Sequence, residues 1–411
     1  MLVSFDDLLN LPQVRVVNAV LTESEITLQV EHRQPFAVCH KCGARATEFF
    51  RNGEKLVLRH LPIFNRPVFL ELQTKRYRCA HCGATTTQQG QWYDTEAHCT
   101  TAFAEFLLLE LVNSTISDVV SKHKVSYDVL RGVLTRYVRD EVDWSQFEQL
   151  RVLGLDEISL LKGHRDFVTI VSTQDQAGRP AVLAVLKGRE KQTVIDFLKT
   201  IPAHLQGTIK EVCSDLDEGF INAVAEVLPQ AKVVADRFHV AKLYRAAVDE
   251  LRKIELKELK QILKKEEYAG LKGVLWMLRK NRENLEPEEK EILDLLFDAS
   301  PLLRKAYQLR EKLTRIFDNE KHSKESGRRA IRRWMAQVRE SGLDCFDKFL
   351  GTLEKHLDII TNYFINRTTS GWVEGLNNKI KVLKRRCYGL TNIGSLFRRI
   401  WLDLNGTAAF A

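Results

Sequence analysis

Two Cys-x-x-Cys pairs constrain the fold of this chain more than any other feature. They are Cys39-His-Lys-Cys42-Gly43 and Cys79-Ala-His-Cys82-Gly83, with 36 residues between Cys42 and Cys79. Thiolates at this spacing occupy two corners of a tetrahedron, so two pairs close a four-sulfur site for one structural Zn²⁺. The intervening chain must then bring the pairs together. It contains strand-like stretches at 55–61 and 66–78, as expected of a zinc ribbon, and the Gly after each pair suits a tight turn in which amides approach the sulfurs. A redox dithiol is the alternative chemistry, but it calls for a single pair in a βαβ setting. Cys99, Cys213, Cys345 and Cys387 have no paired spacing and read as packed thiols.

With 411 residues, the chain is long enough for two to four domains at roughly 100–200 residues each. The net charge is +8, from 62 Lys and Arg against 54 Asp and Glu. Its distribution is more informative than its size. Residues 361–411 hold eight basic side chains (Arg367, Lys379, Lys381, Lys384, Arg385, Arg386, Arg398, Arg399) and two acids (Glu374, Asp403), a balance of +6. A concentrated basic segment is the electrostatic footprint expected of a phosphate-backbone binder, with a solvated helix face as the plainer reading. No apolar run reaches the roughly 18–20 residues of a bilayer span, and the first residues are acidic where a secretory leader is basic. A soluble protein of the cytoplasm with no membrane partner is expected.

After Thr100 the pattern turns helical. Thr115 with Asp118 forms a capping-box pattern, and Ser126 is placed to cap a second short helix with Val129, Leu130, Val133 and Leu134 inward. Two short helices about a compact turn suit a helix-turn-helix, with Ser126, Tyr127 and Arg131 on the helix that enters a major groove; an ordinary helical hairpin has the same pattern.

From Arg151 the texture becomes α/β. Strands end at Asp156-Glu157, at Asp215 and at Asp236-Arg-Phe-His239, with helices between the later ones, which predicts a mixed sheet covered by helices. Acids at the carboxyl ends of neighbouring strands meet at one edge of such a sheet. Clustered carboxylates suit phosphoryl transfer with two hard cations, Mg²⁺ or Mn²⁺. Asp217 competes with Asp215 for this role, although its position also suits a helix cap. Residues 240–363 read as packed amphipathic helices, including a basic patch with an aromatic, Arg328 to Trp334. If Ser370 caps the next helix, Glu374, Asn377, Asn378 and Lys381 share one stripe.

Taken in order, these motifs resemble the transposases of the ISL-three insertion sequences, members of the DDE superfamily. The resemblance covers nearly the whole chain. It includes the cysteine knuckles, Gly154-Leu-Asp156-Glu157, the Asp215 strand end, Asp236-Arg-Phe-His239, and Val373-Glu374-Gly-Leu-Asn377-Asn-Lys-Ile-Lys381 with Arg385-Arg386. It implies an RNase H-like core with a catalytic triad of Asp156, Asp215 and Glu374, with Asp236, His239 and Asn377 beside it. It also implies DNA contacts from Lys379, Lys381, Lys384, Arg385 and Arg386. The expected organisation is a multidomain α/β chain. A zinc ribbon-like domain (1–98) and a helix-turn-helix domain (99–148) precede the first part of the core (149–244). A long all-α insertion (245–362) and the C-terminal core helices (363–411) follow. Such an enzyme binds the terminal inverted repeats of its element, cleaves the ends and joins them to target DNA, working as a homodimer or higher assembly in a bacterial nucleoid. A catalytically inactive DNA-binding regulator is the alternative, and the three intact acids weigh against it.

Overall fold

The computed structural model describes residues 4–161, 165–368 and 371–411. Ser370, the expected helix cap, lies outside the described residues. The chain divides into two compact units, Met1–Asp140 with Leu383–Ala411, and Glu141–Val382.

The first unit begins with a seven-stranded sheet. Its centre comprises β1 (Val14–Leu21), β2 (Ile26–His32), β3 (Glu48–Ile63) and β4 (Arg66–Arg78). β3 and β4 form a long hairpin whose two turn residues, Phe64 and Asn65, both have positive φ, 49° and 63°. That is the mirror-image turn whose twist matches a two-residue hairpin. Leu28, Leu58, Leu70 and Leu72 are fully buried on one face. Burial of each such side chain contributes about 1.5–3 kcal/mol.

Three helices follow: α1 (Thr101–Leu111), α2 (Ile116–His123) and α3 (Tyr127–Tyr137). Thr100, Thr115 and Ser126 cap them through hydroxyls that accept from Phe103, Asp118 and Val129 amides. Lys124, at φ 52°, closes α2 and turns the chain toward α3. The C-terminal helix, here α9 (Ile393–Phe410), belongs to this unit: Leu402 shares a core with Phe103, Leu107 and Leu130. Arg399 donates to the carbonyls of Leu111 and Ser114, satisfying helix-end acceptors. The sequence places 363–411 whole with the catalytic core, whereas residues 383–411 cluster with the first unit. An amphipathic stripe states that a helix is covered, not by which core.

The second unit is built on a five-stranded sheet. Its strands are β5 (Val152–Leu161), β6 (Arg165–Gln174), β7 (Pro180–Lys187), β8 (Glu211–Ser214) and β9 (Lys232–Ala235). Their spatial order is β7–β6–β5–β8–β9, with β6 antiparallel to its neighbours and β5, β8 and β9 parallel. α4 (Lys191–Thr200) and α5 (Glu218–Val227) cover one face, where Leu153, Leu155 and Val212 meet Val194, Leu198 and Phe220. On the other face lies α7 (Asp347–Asn366), seated on β9 by Asn362 Nδ2, which donates to the Val233 carbonyl at 2.8 Å.

The helices that follow β9 begin before residue 245. α6 runs unbroken over Arg237–Ile262 because Asp236 caps it and Val240, Ala241, Tyr244, Val248 and Leu251 form one buried stripe. The aromatic of the basic patch is a core residue: Trp334 is buried and its Nε1 donates to the Leu309 carbonyl at 2.8 Å. Among the described residues, no helix is long and apolar enough to cross a membrane.

Candidate metal centres and active site

Each cysteine pair forms the same knuckle. Cys39 N donates to the Ala44 carbonyl and Gly43 N to that of Cys39; Cys79, Ala84 and Gly83 repeat both bonds. Gly43 and Gly83 sit at φ 74° and 73°, in the left-handed region that a glycine adopts without strain. The four sulfurs of Cys39, Cys42, Cys79 and Cys82 all lie within 4.8 Å of one another. Between knuckles, Sγ of Cys39 is 3.5 Å from that of Cys82, and Cys42 is 3.6 Å from Cys79. Zinc–sulfur bonds of about 2.3 Å in a tetrahedron need sulfurs about 3.8 Å apart, so the set fits zinc. The Lys41 and Cys42 amides draw Cys39 down to about 6. Cys42 is pushed up to about 12: the Ala44 amide favours its thiolate, but burial and the neighbouring thiols outweigh it. A dication reverses that second effect.

The carboxylates are assembled differently. Leu155, Ser214 and Ala235 share one row of the parallel ladder, so Asp156, Asp215 and Asp236 occupy the next row on three adjacent strands. Asp236 N donates to the Ser214 carbonyl at 2.8 Å, continuing that ladder. Neighbouring strands lie about 4.8 Å apart, and one row presents side chains to one face. Asp156 is not at the end of its strand, as the sequence suggested. β5 runs on to Leu161 paired with β6, and only its parallel neighbour stops. Consequently Glu157 projects to the opposite face, where its carboxylate is 3.4 Å from Arg189.

α8 (Gly371–Arg386) lies on the face that carries Asp156. Gly154 permits this approach: a Cβ there would stand 2.6 Å from Val373 Cγ2 and 3.0 Å from the Trp372 ring. Asn377 is buried and its Nδ2 donates to Asp156 Oδ2 in a close contact, while its Oδ1 has no hydrogen-bond partner. One turn earlier, Glu374 lines a cavity of about 230 Å³ with Asp236, Arg237, Tyr244, Arg245 and Thr314.

Burial raises Asp156 above the ordinary carboxylate range and pushes Asp215 up to about 6, with the charges of Asp217 and Asp156 adding to the effect on Asp215. His239 is raised chiefly by Asp236, with Asp156 and Asp215 adding to it. Its Nδ1 lies 3.1 Å from Asp236 Oδ2, within ion-pair distance. Asp217 is engaged elsewhere: its Oδ1 accepts from the Gly219 and Phe220 amides and caps α5. Asp215 Oδ1 accepts only a 3.2 Å bond from Asp217 N among the described side-chain contacts. Among the described residues, the cysteines alone form a group of three or more ligands within 4.8 Å of one another; the acids are arranged more openly.

Residues 153–400 match the family described as transposase, on the ISL3 profile. The chain belongs to the ISL3 transposase family. Residues 35–82 also match the zinc finger of the IS204, IS1001, IS1096 and IS1165 transposases, so the four-cysteine centre of this transposase is a structural zinc site. It is 30% identical to the transposase for insertion sequence element IS1001 of Bordetella parapertussis, over 90% of this chain and 89% of that one. It is 26% identical to the transposase for element IS1557 of Mycobacterium tuberculosis, over 90% and 86%. A solved structure, the Drosophila P element transposase strand transfer complex, aligns with 77% of this chain and 93% of its own at 12% identity, with a TM-score of 0.40.

The transposase's basic C-terminus splits by role. Arg367 donates to the carbonyls of Phe317 and Asn319. Arg386 and Arg399 both pair with buried Asp403, and Arg398 lies 3.1 Å from Asp140. These four cations therefore serve the fold. Lys381 and Arg385 are exposed and Lys379 and Lys384 half-buried. On α3, Ser126, Tyr127 and Arg131 are exposed. Sequence reading also missed Glu211. This buried acid on β8 accepts from Asn366 at 2.7 Å and from Thr368, fixing the chain just before α8. An acid inside a strand carried no signal of that distant partner.

Proposed function

We propose that the five-stranded unit is an RNase H-like core in which Asp156, Asp215 and Glu374 form the catalytic triad of a DNA-cleaving and strand-joining reaction. The observation that carries this reading is the single row of Asp156, Asp215 and Asp236 across three parallel strands, met by α8 through the Asn377–Asp156 contact. The strand order and the antiparallel β6 support the fold assignment. Asp156, Asp215 and Glu374 hold two Mg²⁺ or Mn²⁺ ions, which when bound activate the attacking oxygen and stabilise the leaving one. The residues fit that cargo. Burial and mutual repulsion disfavour the ionised acids, so a dication is their natural counter-charge, and Asn377 Oδ1 is an unused acceptor beside them.

Asn377 orients the Asp156 carboxylate. His239, held by Asp236, supplies positive charge toward the acids and toward a phosphate entering the site. Water attacks the phosphodiester at each element end, and the freed 3′-hydroxyl then attacks target DNA by in-line transesterification. α2 and α3 act as a helix-turn-helix that reads the terminal inverted repeats, with Ser126, Tyr127 and Arg131 at the groove. Lys379, Lys381, Lys384 and Arg385 follow phosphates, whereas Arg386 is committed to Asp403. Domain roles follow the sequence: zinc ribbon, DNA reader, core and insertion. Pairing two ends requires a homodimer or larger assembly, working on the DNA of a bacterial nucleoid.

The test is incubation of the purified protein with Mg²⁺ and a duplex carrying the inverted end that flanks its coding region. Nicking at the end, lost in Asp156→Ala and Glu374→Ala, is expected. Specific binding with no nicking at any metal concentration leaves the chain a DNA-binding regulator instead.

A further inference from the structure

The arginine run Arg328 to Arg333 takes no part in the zinc centre or the carboxylate site. It belongs to a strongly charged stretch: residues 301–341 hold twelve Lys and Arg and five Asp and Glu, a balance of +7 in a chain of +8. The helix before it, Pro287–Ala299, has five acids and one Lys, a balance of −4. Charge is therefore segregated within one unit. Like charges gathered on a folded surface repel one another, so this segregation opposes folding and suits a partner of opposite sign.

The positive stretch forms two helices, Pro301–Asp318 and Lys324–Ser341, capped by the hydroxyls of Ser300 and Ser323. Leu309, Leu313 and Phe317 share a core with Ile331, Trp334 and Val338, and the Trp334–Leu309 hydrogen bond ties the pair together. Along the pair runs an open groove of about 410 Å³. Ala330 and Trp334 are buried at its bottom, while Lys312, Arg315, Arg333 and Gln337 are exposed at its rim. None of the described residues lining it is acidic.

The groove cations differ from the others of the two helices. Those beside α7 are neutralised: Lys324 and Arg328 lie 2.8 and 3.5 Å from Asp358, and Arg339 pairs with Glu354. Among the described residues, Arg333, and exposed Arg329 one turn before it, meet no carboxylate. Lys312 reaches only Gln337 Oε1, at 3.5 Å, from one helix to the other. Arg315 meets only Glu311 of its own helix, at 3.8 Å. Exposed cations on both walls of an acid-free trough fit a row of phosphates, whose oxygens a guanidinium fork meets in pairs. Long cations on a backbone position a duplex without reading its bases. The inverted repeats have to be read, whereas a target can be held by its backbone alone.

We propose that this groove holds one phosphate backbone of the double-stranded target DNA, irrespective of sequence. The inference goes beyond the proposed cleavage site and rests on the proposed strand-joining role.

The test measures binding of a random-sequence duplex over a range of salt, for the wild type and the triple variant Lys312→Gln, Arg315→Gln and Arg333→Gln. The three side chains are exposed, and an unchanged melting temperature checks that the variant folds. The logarithm of affinity falls linearly with that of salt, with a slope of about 0.9 per phosphate contact, so the slope is expected to flatten by about 2.7. A second triple variant, Lys257→Gln, Lys260→Gln and Lys265→Gln, removes equal charge from exposed positions near the far end of α6 and is expected to keep the wild-type slope. An unchanged slope in the groove variant, or equal flattening in the second, overturns the groove. Reaction with an element-end duplex, Mg²⁺ and a target plasmid supplies the other arm. The groove variant is expected to keep nicking at the element end and to lose joining to the plasmid; equal loss of both overturns the assignment to target DNA. Nicking and joining with an unchanged slope sink only the groove, and a groove-dependent slope in a protein that never nicks sinks only the proposed chemistry.

Discussion

At the zinc centre the same six-residue backbone pattern occurs twice, and each copy is closed by its own turn before the two meet. At the carboxylate site no two acids share a motif. Asp156, Asp215 and Asp236 come from three strands, and Glu374 and Asn377 from a helix reached only after the long insertion. The zinc ligands already have the spacing of a bound ion, whereas the acids stand apart. Thiols can pack together around a single thiolate, as Cys39 does with Cys82. Ionised carboxylates repel, and burial makes the repulsion stronger. One site is preformed by local geometry, and the other is assembled from residues far apart in sequence.

The contrast is broken most severely at the zinc centre. Cys39→Ser is expected to abolish zinc binding and unfold the end of the sheet that carries the knuckles, since structural zinc contributes on the order of 10 kcal/mol in such small sites. Metal analysis with thermal melting checks this, and retention of one zinc per chain would refute the four-thiolate site. At the carboxylate site the two readouts should part company. Asp215→Asn is expected to cut Mg²⁺-dependent cleavage by about 10³-fold or more, yet to raise stability at neutral pH. The sign follows from the raised pKa of Asp215, about 6 against an ordinary 3.8. Between those values the folded state holds the proton more tightly, so stability falls as pH rises through that window and stays low above it. Removing the charge recovers on the order of 3 kcal/mol. Urea titrations at pH 4 and pH 7 test it, and a variant less stable than wild type at pH 7 contradicts the buried-charge account. Mg²⁺ should raise the melting temperature of the wild type more than that of the variant.

Smaller effects sharpen the idea of a site assembled from afar. Gly154→Ala places a methyl against Val373 and Trp372. It should cost about 1–3 kcal/mol as overpacking and lower cleavage by displacing α8, although the residue bears no chemistry. Normal cleavage in that variant would show that α8 need not lie so close. Asp217→Ala removes the cap of α5, which is worth about 1 kcal/mol. Chemical denaturation should show that loss with cleavage nearly unchanged; loss of cleavage equal to that of Asp215→Asn would make Asp217 the triad member.

The short-range features were legible. Cys-x-x-Cys-Gly specifies its own turn, Thr115 and Ser126 cap the helices they precede, and the periodicity of α4 and α5 gives their extents. The strand-end pattern located Asp156, Asp215 and Asp236, although the true end of β5 depends on its pairing with β6, a partner the local pattern does not name. Asp217 read ambiguously because a cap and a metal ligand are the same residue type.

The sequence by itself determined the zinc ligands, the capped helices and the acids Asp215 and Asp236 that follow two short strands, because these depend on residues within a few positions of one another. Only the tertiary structure decided which side chains meet. It showed that Gly154 admits α8, that Asn377 reaches Asp156, and that Arg386, Arg398 and Arg399 serve the fold. It also placed the last 29 residues with the first unit. Each of these depends on which surface covers which, and helix and strand periodicities record only that a surface is covered.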